Sequence, residues 1–258
     1  MNRKYFFFDI DGTLTVKKTG EIVPSALKTL KELQDKGHFV ALATGRAHYK
    51  STIYLEKFGL HNMVCSGGGG LVINDKLICN KPLDKTKAKI VLKECIDLGY
   101  GILLELDDSN KVYSKNDLFC KQCGPRKEPT EYIIDESMDY DKLNEIFKIY
   151  VSIPEEDEWK IKLKEVLGYQ RFHPEYLLYE HDVKKEGIVE MMHILKAPLE
   201  DVVVFGDDYN DKGMFDSRWT SIAMGNACEE LKEKADFITK DNVDDGILYA
   251  CKKFNWID

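Results

Sequence analysis

Phe6-Phe7-Phe8-Asp9-Ile10-Asp11-Gly12-Thr13-Leu14 is the stretch on which the fold turns. Three apolar residues with no charge before Asp9 read as a short strand of a parallel sheet covered on both faces. Asp9 then falls where that strand ends. Side chains alternate faces along a strand, so Asp9 and Asp11 are expected on one side, with Gly12 bending the chain away beneath them. Two carboxylates about 4 Å apart repel by roughly 4 kcal/mol at an effective dielectric of 20, so a cation is expected between them. An Asp-Gly hairpin turn is the alternative. Against it, Lys17, Lys18, Thr19 and Gly20 follow Val16 too soon for a good returning strand.

The pattern of strand, polar tip and helix repeats outward from there. Pro24 suits a first helical turn, Leu27, Leu30 and Leu33 mark a helical stripe, and Gly37 supplies the stop. Phe39 to Ala43 is a second buried strand, ending in Thr44-Gly45-Arg46 before a helix through about Phe58. Further on, a helix through Ile188 to Leu195 precedes the strand Val202 to Phe205. That strand ends in Gly206-Asp207-Asp208-Tyr209-Asn210-Asp211. Ile222 to Met224, Phe237 to Thr239 and a terminal helix from about Val243 complete an α/β core with a doubly wound parallel sheet, Rossmann-like in type. Ligands of such sheets sit beyond the carboxyl ends of the strands, so the tips at Asp9, Thr44 and Asp207 are candidates for one site.

An α+β module interrupts this core. Met63 to Cys65 reads as a strand, and Leu71 to Ile73 with Leu77 to Cys79 as a hairpin around Asn74-Asp75. Gly67 to Gly70 lack the Gly-Lys-Ser/Thr ending or the spacing of a phosphate loop and read as a hinge or a close backbone contact. From Asp84 the chain predicts a helix to Leu98 and strands at Ile102 to Leu106 and Lys111 to Ser114. A loop around Cys120 to Pro129, a strand Lys148 to Ile153, a helix after Pro154, and strands near Tyr169 to Phe172 and Tyr176 to Glu180 follow. The acidic run Glu155 to Glu158 falls at the start of that helix, where negative charge is favoured. The expected domains are a core of residues 1–82 and 184–258 and an inserted α+β cap of 83–183. The cap is expected to be mobile, to exclude water and to meet the part of the substrate away from phosphate.

With 258 residues and 43% hydrophobic side chains, the chain can bury a sizeable core. A formal net charge of −8 argues against attraction to nucleic acid or an anionic membrane and favours a small ligand. Arg3 and Lys4 faintly resemble a signal-peptide start, but Asp9 ends the apolar run, and no run is long enough to span a bilayer. Seven cysteines without framework spacing suit a reducing, cytoplasmic setting.

Carboxylates without histidine or cysteine partners are hard oxygen ligands, a set that selects Mg²⁺ over Zn²⁺. Thr44 offers a hydroxyl, and Gly45 an unobstructed amide at a helix N-terminus, where an anion is favoured. Lys184 or Lys185 could add a fixed positive charge. Such a set suits phosphoryl transfer, which depends on positioning and charge neutralisation. Each residue also has a plain structural use: Thr44 as a helix cap, the lysines as solvated charges, the Asp207 run as a polar loop. What favours chemistry is that successive strands end in complementary groups.

Asp9-Ile10-Asp11-Gly12-Thr13-Leu14, Ala43-Thr44-Gly45-Arg46 and Gly206-Asp207-Asp208-Tyr209-Asn210-Asp211, in this order, resemble the signature motifs of the haloacid dehalogenase superfamily, specifically its Cof-like phosphatases with an inserted cap of the C2 (IIB) type. The resemblance covers nearly the whole chain. It implies a Mg²⁺-dependent phosphatase acting on a small phosphorylated metabolite such as a sugar phosphate. By the same resemblance, Asp9 matches the nucleophile that forms an aspartyl-phosphate, and Asp11 the general acid that later activates water. Thr44 matches the phosphate-binding hydroxyl, Lys184 the third-motif lysine (with Lys185 open), and Asp207 a metal ligand supported by Asn210 and Asp211. The implied metal set is Asp9, Asp11, Asp207 and Asp211; the substrate set is Gly12, Thr44, Gly45, Arg46 and Asn210. Two departures stand out. Gly67-Gly68-Gly69 replaces the usual Asn-Gly-Ala, and Cys120 and Cys123 form a pair with no second pair at zinc spacing, read as reduced thiols. The rivals are a phosphotransferase or mutase using the same intermediate and a non-catalytic phospho-acceptor. A signalling receiver is far smaller and needs no cap.

Overall fold

The computed structural model describes residues 2–258. They divide into two compact units, one of residues up to Asn80 together with Val183–Asp258, the other of Lys81–Asp182.

The first unit is built on β1 (Tyr5–Phe8), α1 (Pro24–Asp35), β2 (Phe39–Ala43), α2 (His48–Phe58), β3 (Met63–Cys65), β4 (Gly70–Ile73) and β5 (Lys76–Asn80) before the second unit intervenes. In sheet order, β1 lies at the centre between β2 and the strand Val202–Gly206, both parallel to it. Its three phenylalanines explain that place. Phe6 and Phe8 face one core with Leu30, Leu33, Leu42 and Phe205, and Phe7 faces the other with Ala41, Val204, Ile188 and Met191. A strand buried on both faces carries no polar side chain, and each fully buried phenylalanine stabilises the fold by about 1.5–3 kcal/mol. Phe8 also stacks on Phe205, ring centroids 4.7 Å apart.

α1 starts with Pro24 at its first turn and is followed by Gly37 at φ +83°, as its signals predict. Its buried stripe is Ala26, Thr29, Leu30 and Leu33. Leu27 is exposed, one step around the helix from where the leucine spacing put it. β4 and β5 form the expected hairpin, Asn74 and Asp75 both taking positive φ at its turn.

The second unit contains α3 (Lys85–Asp97), β6 (Ile102–Glu105), β7 (Lys111–Ser114), α4 (Leu118–Cys123), β8 (Glu131–Ile134), β9 (Lys148–Val151), β10 (Tyr169–His173) and β11 (Tyr176–Tyr179). Its six strands run in the order β10-β11-β9-β6-β7-β8, antiparallel except for the parallel β7–β8 pair. One face packs on α3 through Val91, Leu92, Leu104, Ile149 and Tyr179, and the other carries Leu103, Phe119, Tyr150 and Leu178. Three expectations are corrected. The loop around Cys120 begins as α4, β8 goes unforeseen, and the segment after Pro154 is a 3₁₀ turn, Glu155–Lys160, rather than an α-helix. That turn buries none of its residues, and like charges at Glu155 and Glu158 oppose a longer helix.

The first unit resumes with α5 (Lys184–Leu195), β12 (Val202–Gly206), a 3₁₀ turn at Tyr209–Met214, β13 (Thr220–Ala223), α6 (Glu229–Lys232), β14 (Phe237–Ile238) and α7 (Gly246–Lys253). The eight strands run β14-β13-β12-β1-β2-β3-β4-β5, parallel up to β3. α1, α2 and α7 line one face and α5 and α6 the other, which is the doubly wound arrangement. Among the described residues no helix is long and apolar enough to cross a membrane.

Candidate active site

The adjacent parallel strands β1, β2 and β12 end at the same edge of the sheet, and their tips carry Asp9, Thr44 and Asp207. Asp9 follows Phe8 directly, and its backbone amide donates to Phe205 O at 3.0 Å, holding the tip against β12. Asp9 and Asp207 are buried, and with the fully buried Asp211 they place one carboxylate oxygen each within 4.8 Å of one another.

Asp211 is held by the backbone beside it. Its Oδ2 accepts from the amides of Asp207 (2.9 Å) and Asp208 (3.3 Å), closing a capping box at the start of the Tyr209–Met214 turn. Its Oδ1 accepts from Lys184 Nζ at 2.7 Å, and the same ammonium donates to Asp9 Oδ1 at 2.9 Å. Of the two adjacent lysines, Lys184 is thus the one in the cluster. Lys185 is half-exposed and reaches Asp216 at 3.6 Å.

Electrostatics follow from this packing. Burial first, then the charge of Asp211, hold the Asp9 carboxyl well above the carboxylate range, and Lys184 offsets only part of that. Asp207 is pushed up to about 7, by burial and then by Asp211, against the pull of Lys17. Burial would lower the Lys184 ammonium, but Asp211 and Asp9 outweigh it and raise it. Three buried carboxylates against one ammonium leave two negative charges when all are ionised, which a divalent cation neutralises. The donor atoms are hard oxygens throughout, so the set of Asp9, Asp207 and Asp211 fits Mg²⁺.

Asp11 does not join that cluster, which corrects the expectation that two carboxylates converge on one cation. The strand ends at Phe8, so its alternation does not extend to Asp11. The amides of Leu14 and Thr15 both donate to Ile10 O, and this turn carries Asp11 aside. Its carboxylate is taken by Arg46, with Nε to Oδ2 and Nη2 to Oδ1 both 2.9 Å. Gly12 takes φ +96°, and a Cβ there would overlap the Asp207 carboxylate. Its place beneath the acid tips therefore requires the absence of a side chain.

Thr44 is buried and lies three residues before the Ala47 cap of α2, so it is not a helix cap; its Oγ1 accepts from the Arg46 amide at 3.2 Å. Gly45 lies between them in the same turn, and Asn210 is half-buried in the turn after β12. The glycine run carries no phosphate loop. Val183 N donates to Gly67 O at 2.8 Å, and a Cβ on Gly68 would overlap the Val183 carbonyl, so the run is a close backbone contact that seats the start of α5.

Sequence reasoning missed three groups. Lys17 bonds Asp208 and comes within 3.9 Å of Asp207 Oδ2, Thr13 Oγ1 donates to Asp207 Oδ1 at 3.2 Å, and Asn226 Nδ2 donates to Gly12 O at 2.9 Å. Thr13 stands inside the first motif and could have been found there. Lys17 stands outside the three motifs, and nothing in its spacing marks it as a partner of the acidic tip. Cys120 and Cys123 sit half-buried on α4, and neither is in a disulfide. Burial pushes the Cys123 thiol up to about 12, the mark of an unreactive group.

A parallel sheet whose strand tips gather hard ligands and a buried ammonium defines a hydrolase suited to phosphate esters, and comparison with known proteins agrees. The family model described as haloacid dehalogenase-like hydrolase matches residues 6–251. "Putative phosphatase YkrA" of Bacillus subtilis (strain 168) is 32% identical over 256 residues, covering 98% of each chain. The 5-amino-6-(5-phospho-D-ribitylamino)uracil phosphatase YitU of the same organism is 25% identical over 262 residues, covering 95% of each. A solved structure described as the HAD subclass IIB sugar phosphatase BT4131 shares the fold with a TM-score of 0.77 at 24% identity, covering 98% of this chain and 100% of that one. The chain belongs to the haloacid dehalogenase-like hydrolases and is a phosphatase of that family.

Proposed function

We propose that the protein is a Mg²⁺-dependent phosphatase of a small phosphorylated metabolite, a sugar phosphate foremost, working through a phosphoryl group carried on Asp9. The observation that carries the reading is the buried Asp9 carboxylate, held by Lys184 Nζ at 2.9 Å and grouped with Asp207 and Asp211. In the first step an Asp9 oxygen attacks phosphorus, the bond from phosphorus to the ester oxygen breaks, and Asp11 gives that oxygen its proton. In the second, Asp11 takes a proton from water, whose oxygen attacks the same phosphorus and frees Asp9 as carboxylate. Thr44 Oγ1 and the Gly45 amide receive phosphate oxygens, and Lys184 offsets their charge. Asn210 and Asp211 support this end of the site, and Gly12 leaves the room it needs. Mg²⁺, held by Asp9 and Asp207, would supply charge neutralisation for the phosphoryl group.

The names of the compared proteins, a sugar phosphatase and a phospho-ribitylamino-uracil phosphatase, support a small phosphorylated substrate. The net charge of −8 supports one that is not a nucleic acid. Seven cysteines without framework spacing support a cytoplasmic setting. Acid quench of Asp11→Asn after mixing with ³²P-labelled p-nitrophenyl phosphate tests the covalent step: the label should stay on the protein as a hydroxylamine-sensitive acyl phosphate at Asp9. Release of p-nitrophenol with no label left on the quenched protein, or label that Asp9→Asn retains, would rule the step out. Activity should vanish with a chelator and return with Mg²⁺, whereas undiminished turnover in excess chelator would remove the metal from the reading.

A further inference from the structure

We infer that Arg46 is a positioning residue for Asp11, holding its carboxylate in place for the proton transfers rather than binding phosphate itself. The inference rests on the proposed role of Asp11 as acid and base. Both Asp11 oxygens are engaged by one guanidinium at 2.9 Å, a fork-to-fork pairing that fixes the carboxylate in orientation as well as in place. Among the described residues no other side chain bonds Asp11, whose side chain stands half-exposed in a turn. Left alone, it would sweep its rotamers.

Arg46 is itself anchored. Its amide donates to Thr44 Oγ1 at 3.2 Å, and its carbonyl accepts from Ser66 N at 2.7 Å and from Ser51 Oγ at 3.3 Å. Its guanidinium lies over the Tyr54 ring, 5.0 Å from the centroid. The fork therefore ties the turn that carries the acid to the loop that carries Thr44, and sets one against the other. An ångström of misplacement in such a pair costs about a hundredfold in rate.

The test uses Arg46→Gln, Arg46→Lys, Asp11→Asn and the double variant Arg46→Gln/Asp11→Asn in the full chain, with p-nitrophenyl phosphate and phenyl phosphate as substrates. Phenolate is the poorer leaving group and needs the acid more. Arg46→Gln should lower kcat on phenyl phosphate by about 10–100-fold, within the usual reach of general acid catalysis. It should cost far less on p-nitrophenyl phosphate and leave KM within about twofold. Arg46→Lys should recover part of the loss, and it carries the test should the glutamine variant not fold. In the Asp11→Asn background, removing Arg46 should cost nothing more, as for two residues acting as one unit. An equal loss on both esters, a loss confined to KM, or a multiplied loss in the double variant would overturn the inference and make Arg46 a substrate ligand. Asp11→Asn alone tests the underlying reading: equal losses on the two esters would end the acid role of Asp11 and the inference with it.

Discussion

Among single residues, Lys184 and Lys185 show how far neighbours can differ. Lys184 is buried between Asp9 and Asp211, so Lys184→Met leaves two buried carboxylates without their cation. Breaking a buried pair from one side costs about 3–5 kcal/mol. Lys185→Met removes only an outer contact to Asp216 and should cost under about 1 kcal/mol. Denaturant unfolding of the two variants should show that contrast, and equal losses would mean the buried ion cluster contributes nothing to the fold. The Lys184 penalty should be smaller at pH 5 than at pH 8, because Asp9, already held above the usual carboxylate range, can shed its charge by taking a proton. The sequence places both lysines at the right distance from Asp207, and their chemistry is identical. Which one turns inward depends on the phase of α5 against the sheet, set by Gly187, Ile188 and Met191 packing beneath it. Asp9 and Asp207 were legible because a charge that ends a buried strand has few other uses. The side-chain direction of Asp11 was not, since the strand period stops at Phe8 and a turn takes over.

At the scale of elements, the seating of α5 depends on the glycines that face it. Gly68 takes φ +106° with the Val183 carbonyl in the space a Cβ would fill, and Gly187 on α5 would set its own Cβ 2.6 Å from Val64 Cγ1. Gly68→Ala combines backbone strain with a backbone collision and should cost more than about 2 kcal/mol. Gly20 also has positive φ, +70°, but open space around it, so Gly20→Ala should cost only the conformational part, about 1 kcal/mol. Thermal unfolding of both variants separates the two effects. If Gly68→Ala were no worse than Gly20→Ala, the glycine run would be a loose hinge and not a contact. Elements with strong period were readable: β1, β2 and β12 as unbroken apolar runs, α1 from its proline and glycine ends. β8 was not, because it is a four-residue edge strand with no buried residue and no alternation. The turn after Pro154 misled through propensity alone, its acidic residues suiting a helix start while nothing apolar followed to bury a face.

For the whole molecule, the residues proposed for chemistry all lie in the unit of residues up to Asn80 and Val183–Asp258, which has its own two-faced core. That unit's stability should therefore be linked to the proposed Mg²⁺. Without a bound cation, Asp207 has its carboxyl pushed up to about 7, against an ordinary value of 3.8. A group raised on folding contributes stability that is full below its unfolded value and is lost as pH rises through the folded one. Between pH 6 and pH 8 the metal-free protein should lose about 1.4 kcal/mol from Asp207, with Asp9 acting in the same direction. Lys184, raised by Asp211 and Asp9, gives up its share only at alkaline pH above its ordinary value, outside this window. The proposed Mg²⁺ would supply the missing positive charge where the carboxylates are ionised, and would have to displace protons where they are not. The rise in Tm on adding saturating Mg²⁺ should accordingly be larger at pH 8 than at pH 6, by roughly 3 °C for a chain of this size. Asp207→Asn should reduce the pH dependence and the Mg²⁺ shift together, because the same carboxylate contributes to both. A metal-induced shift that is as large at pH 6 as at pH 8, or that survives Asp207→Asn undiminished, would place the cation away from the strand tips.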